Sequence, residues 1–200
     1  MKTAVVFIHG FNKKSEYWNK NEFNKDINIE KIISKKTQTL LVQIDDYSIN
    51  PKTIVTSIIN QMKEFGQKKW IIVCHSLGVI YGLEILNHDI QIGGLCIIDP
   101  STPNDKFIEK ITSEGRVEMA EHSKNAQYGK PSKTIFHIHF DYDVNKPQRL
   151  TKQIKFFSQF TSANDKSKII IHPNKGHMIH YTDTPKIISS ILTMISYLQA

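Results

Sequence analysis

The sequence predicts a three-layer, doubly wound α/β sandwich built on a mostly parallel six-stranded sheet. Six short runs rich in Val, Ile and Leu recur along the chain, and segments with helical apolar spacing separate them. Nearly continuous apolar runs mark strands covered on both faces. Strand alternating with helix implies parallel neighbours joined by right-handed crossovers, with helices on both sides. The 200 residues suit a single domain over 1–200, which would bury roughly 70% of the surface its unfolded chain exposes.

The first strand is Thr3–Ile8, leading into His9-Gly10-Phe11, and the second is Gln38–Ile44. Pro51 then stands where a first helical turn tolerates proline. Ile54, Val55, Ile58, Ile59, Met62 and Phe65 follow at helical spacing, and Gly66 ends the helix. The third strand, Trp70–Cys74, runs almost directly into a helix that starts near Ser76 and carries Val79, Ile80, Leu83 and Leu86. The fourth strand is Gly94–Ile98. Residues 100–131, rich in Pro, Gly, Ser, Asn and charge, show little periodicity and read as a short cap or lid. Thr134–Phe140 and Lys168–His172 are the fifth and sixth strands. A helix from near Pro147 separates them, and a last helix carries Ile187, Ile188, Ile191, Leu192, Ile195 and Leu198 on one stripe.

The formal charge is +7, but its lysines are scattered in ones and twos and no nucleic-acid-binding motif accompanies them. That pattern is a solvated basic surface, so no nucleic-acid partner is expected. No apolar run approaches the roughly 20 residues of a bilayer span, so no stable membrane insertion is expected. Residues Met1 to Gly10 read as a strand and the protein as cytoplasmic. Cys74 and Cys96 lie inside apolar strands, outside any metal-type spacing, and read as buried free thiols.

Three pieces carry chemistry. Cys74-His75-Ser76-Leu77-Gly78 joins a strand to a helix, the context of a nucleophile elbow, with Cys in place of the usual first Gly. The His9-Gly10-Phe11 loop follows the first strand. Backbone N–H groups of Phe11 and Leu77 are the candidate oxyanion-hole donors. Gly176-His177-Met178 offers His177 as a general base, with His172 and His180 nearby as weaker choices. For the acid, Asp141 and Asp143 close the fifth strand, and Asp99, at the end of the fourth, is a third option.

The His-Gly-Phe loop, the His-Ser-Leu-Gly elbow, the Asp-x-Asp strand end and Gly-His-Met-Ile-His, in that order, resemble the α/β-hydrolase superfamily. The resemblance implies a triad of Ser76, His177 and Asp143 working through an acyl-enzyme. The family's usual spacing selects Asp143, but Phe140 stands where a Gly is usual and keeps Asp141 open. The expected activity is cleavage of small to medium carboxylic esters or thioesters, without a cofactor. Two departures bear on substrate: the antiparallel strands that open larger relatives are missing, and Asp45-Asp46-Tyr47-Ser48 replaces a longer glycine-containing stretch. Both favour a rather open site. A non-catalytic member of the fold, acting as a binding module, is the alternative. His137, His139 and Asp141 approach the spacing of a metallohydrolase motif, but Tyr142 stands where its last His is required, so no metal is expected.

Overall fold

The computed structural model describes residues 2–10, 15–19, 27–44, 50–66, 68–100, 105–125, 127–129 and 132–200. Its centre is one sheet of six strands, all parallel: β1 (Thr3–Ile8), β2 (Gln38–Leu41), β3 (Lys69–His75), β4 (Ile92–Ile98), β5 (Ile135–Tyr142) and β6 (Lys168–Pro173). They lie side by side in the order β2-β1-β3-β4-β5-β6. The switch of winding direction at β1 puts crossovers on both faces, so the three-layer expectation holds.

Strand periodicity divides the core. Ala4, Val6 and Ile8 of β1 face one apolar cluster, while Val5 and Phe7 face the other. The first cluster is closed by α2 (Pro51–Glu64), α3 (Gly78–Glu84) and α6 (Pro147–Thr161). The second is closed by α1 (Ile29–Ser34), α7 (Ile179–Thr182) and α8 (Thr184–Gln199). The local chemistry of α2 shows why these segments are helical. Asn50 caps it by accepting from the Lys52 amide at 2.9 Å, Pro51 opens it, and Gly66, at φ 99°, lets the chain turn away. Ile54, Val55, Ile58, Ile59 and Met62 are its buried stripe. Each such side chain contributes about 1.5–3 kcal/mol on leaving water.

The segment after β4 differs from its aperiodic reading. It holds α4 (Asp105–Ser113) and α5 (Val117–Asn125), and Met119 and Ala120 of α5 pack into the first cluster. Those two apolar residues are too few to stand out as a stripe among the charges of α5. Cys74 and Cys96 are buried free thiols, and burial pushes both well above the usual thiol range. Among the described residues, no helix is long and apolar enough to cross a membrane.

Candidate active site

Parallel strands deliver their carboxyl ends to one edge of the sheet, and each strand end there adds one piece. Ser76 follows β3 with φ 54°, in the left-handed region that strains any residue with a Cβ. The turn is held by contact on both sides. A Cβ on Gly78 would lie 2.6 Å from the His9 carbonyl oxygen and 2.8 Å from that of Ile8. A Cβ on Gly10 would meet that of Ser76 at 3.2 Å. Cys74, where the motif usually has Gly, is accommodated because its sulfur lies over Gly82, 3.0 Å from where a Cβ would be.

His177 comes from the loop after β6. Its Nε2 is 2.9 Å from Ser76 Oγ and its Nδ1 is 2.5 Å from Asp99 Oδ2. A carboxylate only accepts, so Nδ1 carries the proton and Nε2 is left to accept from the serine hydroxyl. Asp99 follows β4, is fully buried, and also has a left-handed backbone, φ 35°. Burial alone would raise its carboxyl. The His177 hydrogen bond and the Arg149 charge outweigh that and hold it below the usual carboxylate range.

The structure therefore brings Ser76 and His177 together as expected but sets a different carboxylate beside them. Asp143 is a correction. It accepts from the Asn145 amide at 2.9 Å, lies 3.6 Å from Lys146 Nζ, and stays away from the imidazole. The reason is register. Ile98 pairs with His139, so Asp99 lies level with Phe140. Asp143 is three residues beyond that point, roughly 10 Å along an extended chain. Asp141 is a correction too, with a subtler place. Its Oδ1 accepts from the amides of Lys175 and Gly176, both at 2.8 Å, so it pins the backbone that leads into His177.

Further side chains tie the base loop down. His75 Nε2 donates to the His177 carbonyl at 2.9 Å, which leaves its Nδ1 to accept from Tyr17 Oη at 3.1 Å. Its ring packs, tilted, against those of His177 and His180 at 4.7 and 4.5 Å between centroids. His172 donates from Nδ1 to Asp183 at 2.8 Å and accepts at Nε2 from His139 Nδ1, also at 2.8 Å. His137, His139 and Asp141 thus go to three separate partners: the Lys166 carbonyl, His172 and the Lys175–Gly176 amides.

Leu77, buried at the entry to α3, keeps its amide next to Ser76. Phe11 lies outside the described residues, as does Asp45-Asp46-Tyr47-Ser48. The described non-glycine residues with left-handed backbones are Ser76, Asp99 and Asn174, each following the carboxyl end of a strand. Such strain persists where the surroundings enforce it, and it gathers at functional sites. The sequence carried one signal for Asp99, an acid placed straight after an unbroken apolar strand. It carried none for the partners of His75 and Arg149.

No family model matches the sequence, and no curated protein sequence matches it. Solved structures do. The ydeN gene product of B. subtilis is 13% identical, with 98% of this chain and 100% of that one covered, at a TM-score of 0.67. NosK from Streptomyces actuosus is 9% identical over all of both chains, at 0.69. An esterase of Pyrococcus furiosus is 11% identical, with 100% and 82% covered, at 0.63. At such identities the likeness speaks for architecture. Joined to the six parallel strands and the strand–turn–helix at Ser76, it establishes that this chain has the α/β-hydrolase fold.

Proposed function

We propose that the protein is a serine hydrolase that cleaves carboxylic esters or thioesters of small to medium acyl groups through an acyl-enzyme. The observation that carries this reading is the unbroken hydrogen-bond chain from Ser76 through His177 to Asp99. As Ser76 Oγ attacks the substrate carbonyl carbon, its proton passes to His177 Nε2. The Leu77 amide, with a donor from the loop after β1, receives the oxyanion. His177 then protonates the leaving alkoxide or thiolate. A water molecule next gives a proton to Nε2 and attacks the acyl carbon. As the bond from that carbon to Ser76 Oγ breaks, Nε2 returns the proton to Oγ, which frees the acid and restores the serine. Asp99 stays ionised throughout, fixes the tautomer and stabilises the imidazolium. The His177 side chain is 47% exposed, which supports small or medium acyl groups reaching an open site.

A fluorophosphonate probe followed by intact mass measurement tests the proposal. One adduct is expected on the folded protein and none on Ser76→Ala. Aryl esters of increasing acyl length should be turned over best at short to medium chains. Folded protein that takes no adduct would remove the serine-hydrolase reading.

A further inference from the structure

Resting on that reading, we propose that Arg149, with Gln153 one helical turn later, is a positioning residue that clamps the acid from α6 and sets the pH range in which the base is available. In this lysine-rich chain Arg116 and Arg149 are the two arginines. Arg149 Nη2 lies 2.8 Å from Asp99 Oδ2, the same oxygen that accepts from His177. Gln153, four residues on and therefore on the same helix face, is buried and donates from Nε2 to the Pro100 carbonyl at 2.8 Å. One helix face thus holds both the side chain of Asp99 and the carbonyl of the next residue, Pro100, on either side of the strained Asp99 backbone.

The charge arithmetic gives a direction. Unprotonated, the Asp99–His177 pair carries one negative charge, and protonated it is neutral. A guanidinium at 2.8 Å stabilises the first form and gains little from the second. Arg149 therefore favours the pair with its base free, the form that can take the serine proton. Because the two groups titrate together, the direction is the same whichever of them holds the proton. The groups facing this pair, among the described residues, are Arg149 from α6, Ser76, and the His75 ring at the end of β3. Arg149→Met changes only the first. The Arg149 side chain is 41% exposed, so salt should screen part of its effect.

The test measures kcat/KM for an aryl ester against pH in wild type, Arg149→Met, Arg149→Lys and Gln153→Leu, at low salt and at high salt. In Arg149→Met the acid limb should move to higher pH by about one unit. Activity near pH 6 should then drop on the order of tenfold, with far less change above pH 8 and KM within about twofold. Arg149→Lys should keep the wild-type limb, and high salt should narrow the gap between wild type and Arg149→Met. Gln153→Leu keeps the charge, so it should lower kcat at every pH without moving the limb. Superimposable limbs for wild type and a folded Arg149→Met would overturn the proposal. If wild type itself takes no fluorophosphonate, the hydrolase reading fails instead. The role of Arg149 is then decided by NMR titration of the His177 imidazole, where an equal midpoint in wild type and Arg149→Met rejects it.

Discussion

The amide of Ser76 donates to the carbonyl of Ile98 at 3.1 Å, which stitches the turn at Ser76 to the residue just before Asp99. The next rung repeats the pattern, with the Asp99 amide donating to His139 O at 2.8 Å. A third bond, from the Asn174 amide to Tyr142 O at 2.9 Å, anchors the loop that carries His177. The proposed triad is therefore set by backbone bonds across β3, β4, β5 and β6. Its side chains meet because four parallel strands end in register.

Replacing the three carboxylates separates their roles. Asp99→Asn should lower kcat/KM on the order of ten-thousand-fold, since an amide in that place no longer fixes the tautomer or stabilises the imidazolium. Asp143→Asn should leave activity within about twofold, because Asp143 meets only its own turn and Lys146. Asp141→Ala should fall between, by about tenfold to hundredfold, through loss of the two amides it holds. Steady-state kinetics on the three variants read the order directly, and a dominant effect of Asp143→Asn would contradict the proposed triad.

The His75 brace predicts a loss in turnover rather than in binding. In His75→Phe the ring volume is kept while the bond to the His177 carbonyl is lost. Expected is a kcat lower by about tenfold to hundredfold with little change in KM. Tyr17→Phe removes the tautomer lock on Nδ1 and a longer contact to Met178 Sδ at 3.4 Å, leaves the His75 bond to the His177 carbonyl in place, and should cost less. Wild-type kcat in His75→Phe would mean the loop is held well enough by Asp141.

Glycine at position 78 is a steric requirement. Gly78→Ala sets a Cβ against two backbone carbonyl oxygens of the β1 loop, neither of which is a flexible side chain. It should cost about 2 kcal/mol or more and remove fluorophosphonate labelling as the elbow shifts. Gly82→Ala presses instead on the Cys74 sulfur, so adding Cys74→Gly should relieve it. Melting temperatures of the two singles and of the Cys74→Gly, Gly82→Ala double variant test both statements.

Buried histidines set the acid side of the stability curve. Burial holds His9, His122, His137, His139 and His172 below their ordinary range, with His137 down to about 4. A depressed group binds its proton in the unfolded chain first, so its stabilisation is complete above pH 6.5 and is lost on acidification. Denaturant unfolding should weaken steadily between pH 6.5 and about 4, with His137 alone worth about 2–3 kcal/mol. The lowered carboxyls Asp99, Asp143 and Asp183 act below pH 3.8, beyond that window. In His137→Gln the slope should flatten, and an unchanged slope would assign the effect elsewhere.

The sequence by itself determined the sheet, the alternation of helices, the elbow at Ser76 and the base loop at His177. Each is written in local signals: apolar runs such as Val5 to Ile8, the Gly78 that a tight turn demands, and the Gly176 before the histidine. It left the acid among Asp99, Asp141 and Asp143, and weighted it toward Asp143. Only the tertiary structure shows which of them lies against His177, because that depends on how far β4 and β5 extend relative to each other. Inter-strand register comes from the packing of the whole sheet, and no short motif encodes it. The same holds for Arg149, Gln153, His75 and Tyr17, whose partners are 50 or more residues away in the chain. Those contacts arise from two faces of one sheet meeting at a shared edge, and they place Asp99 beside His177.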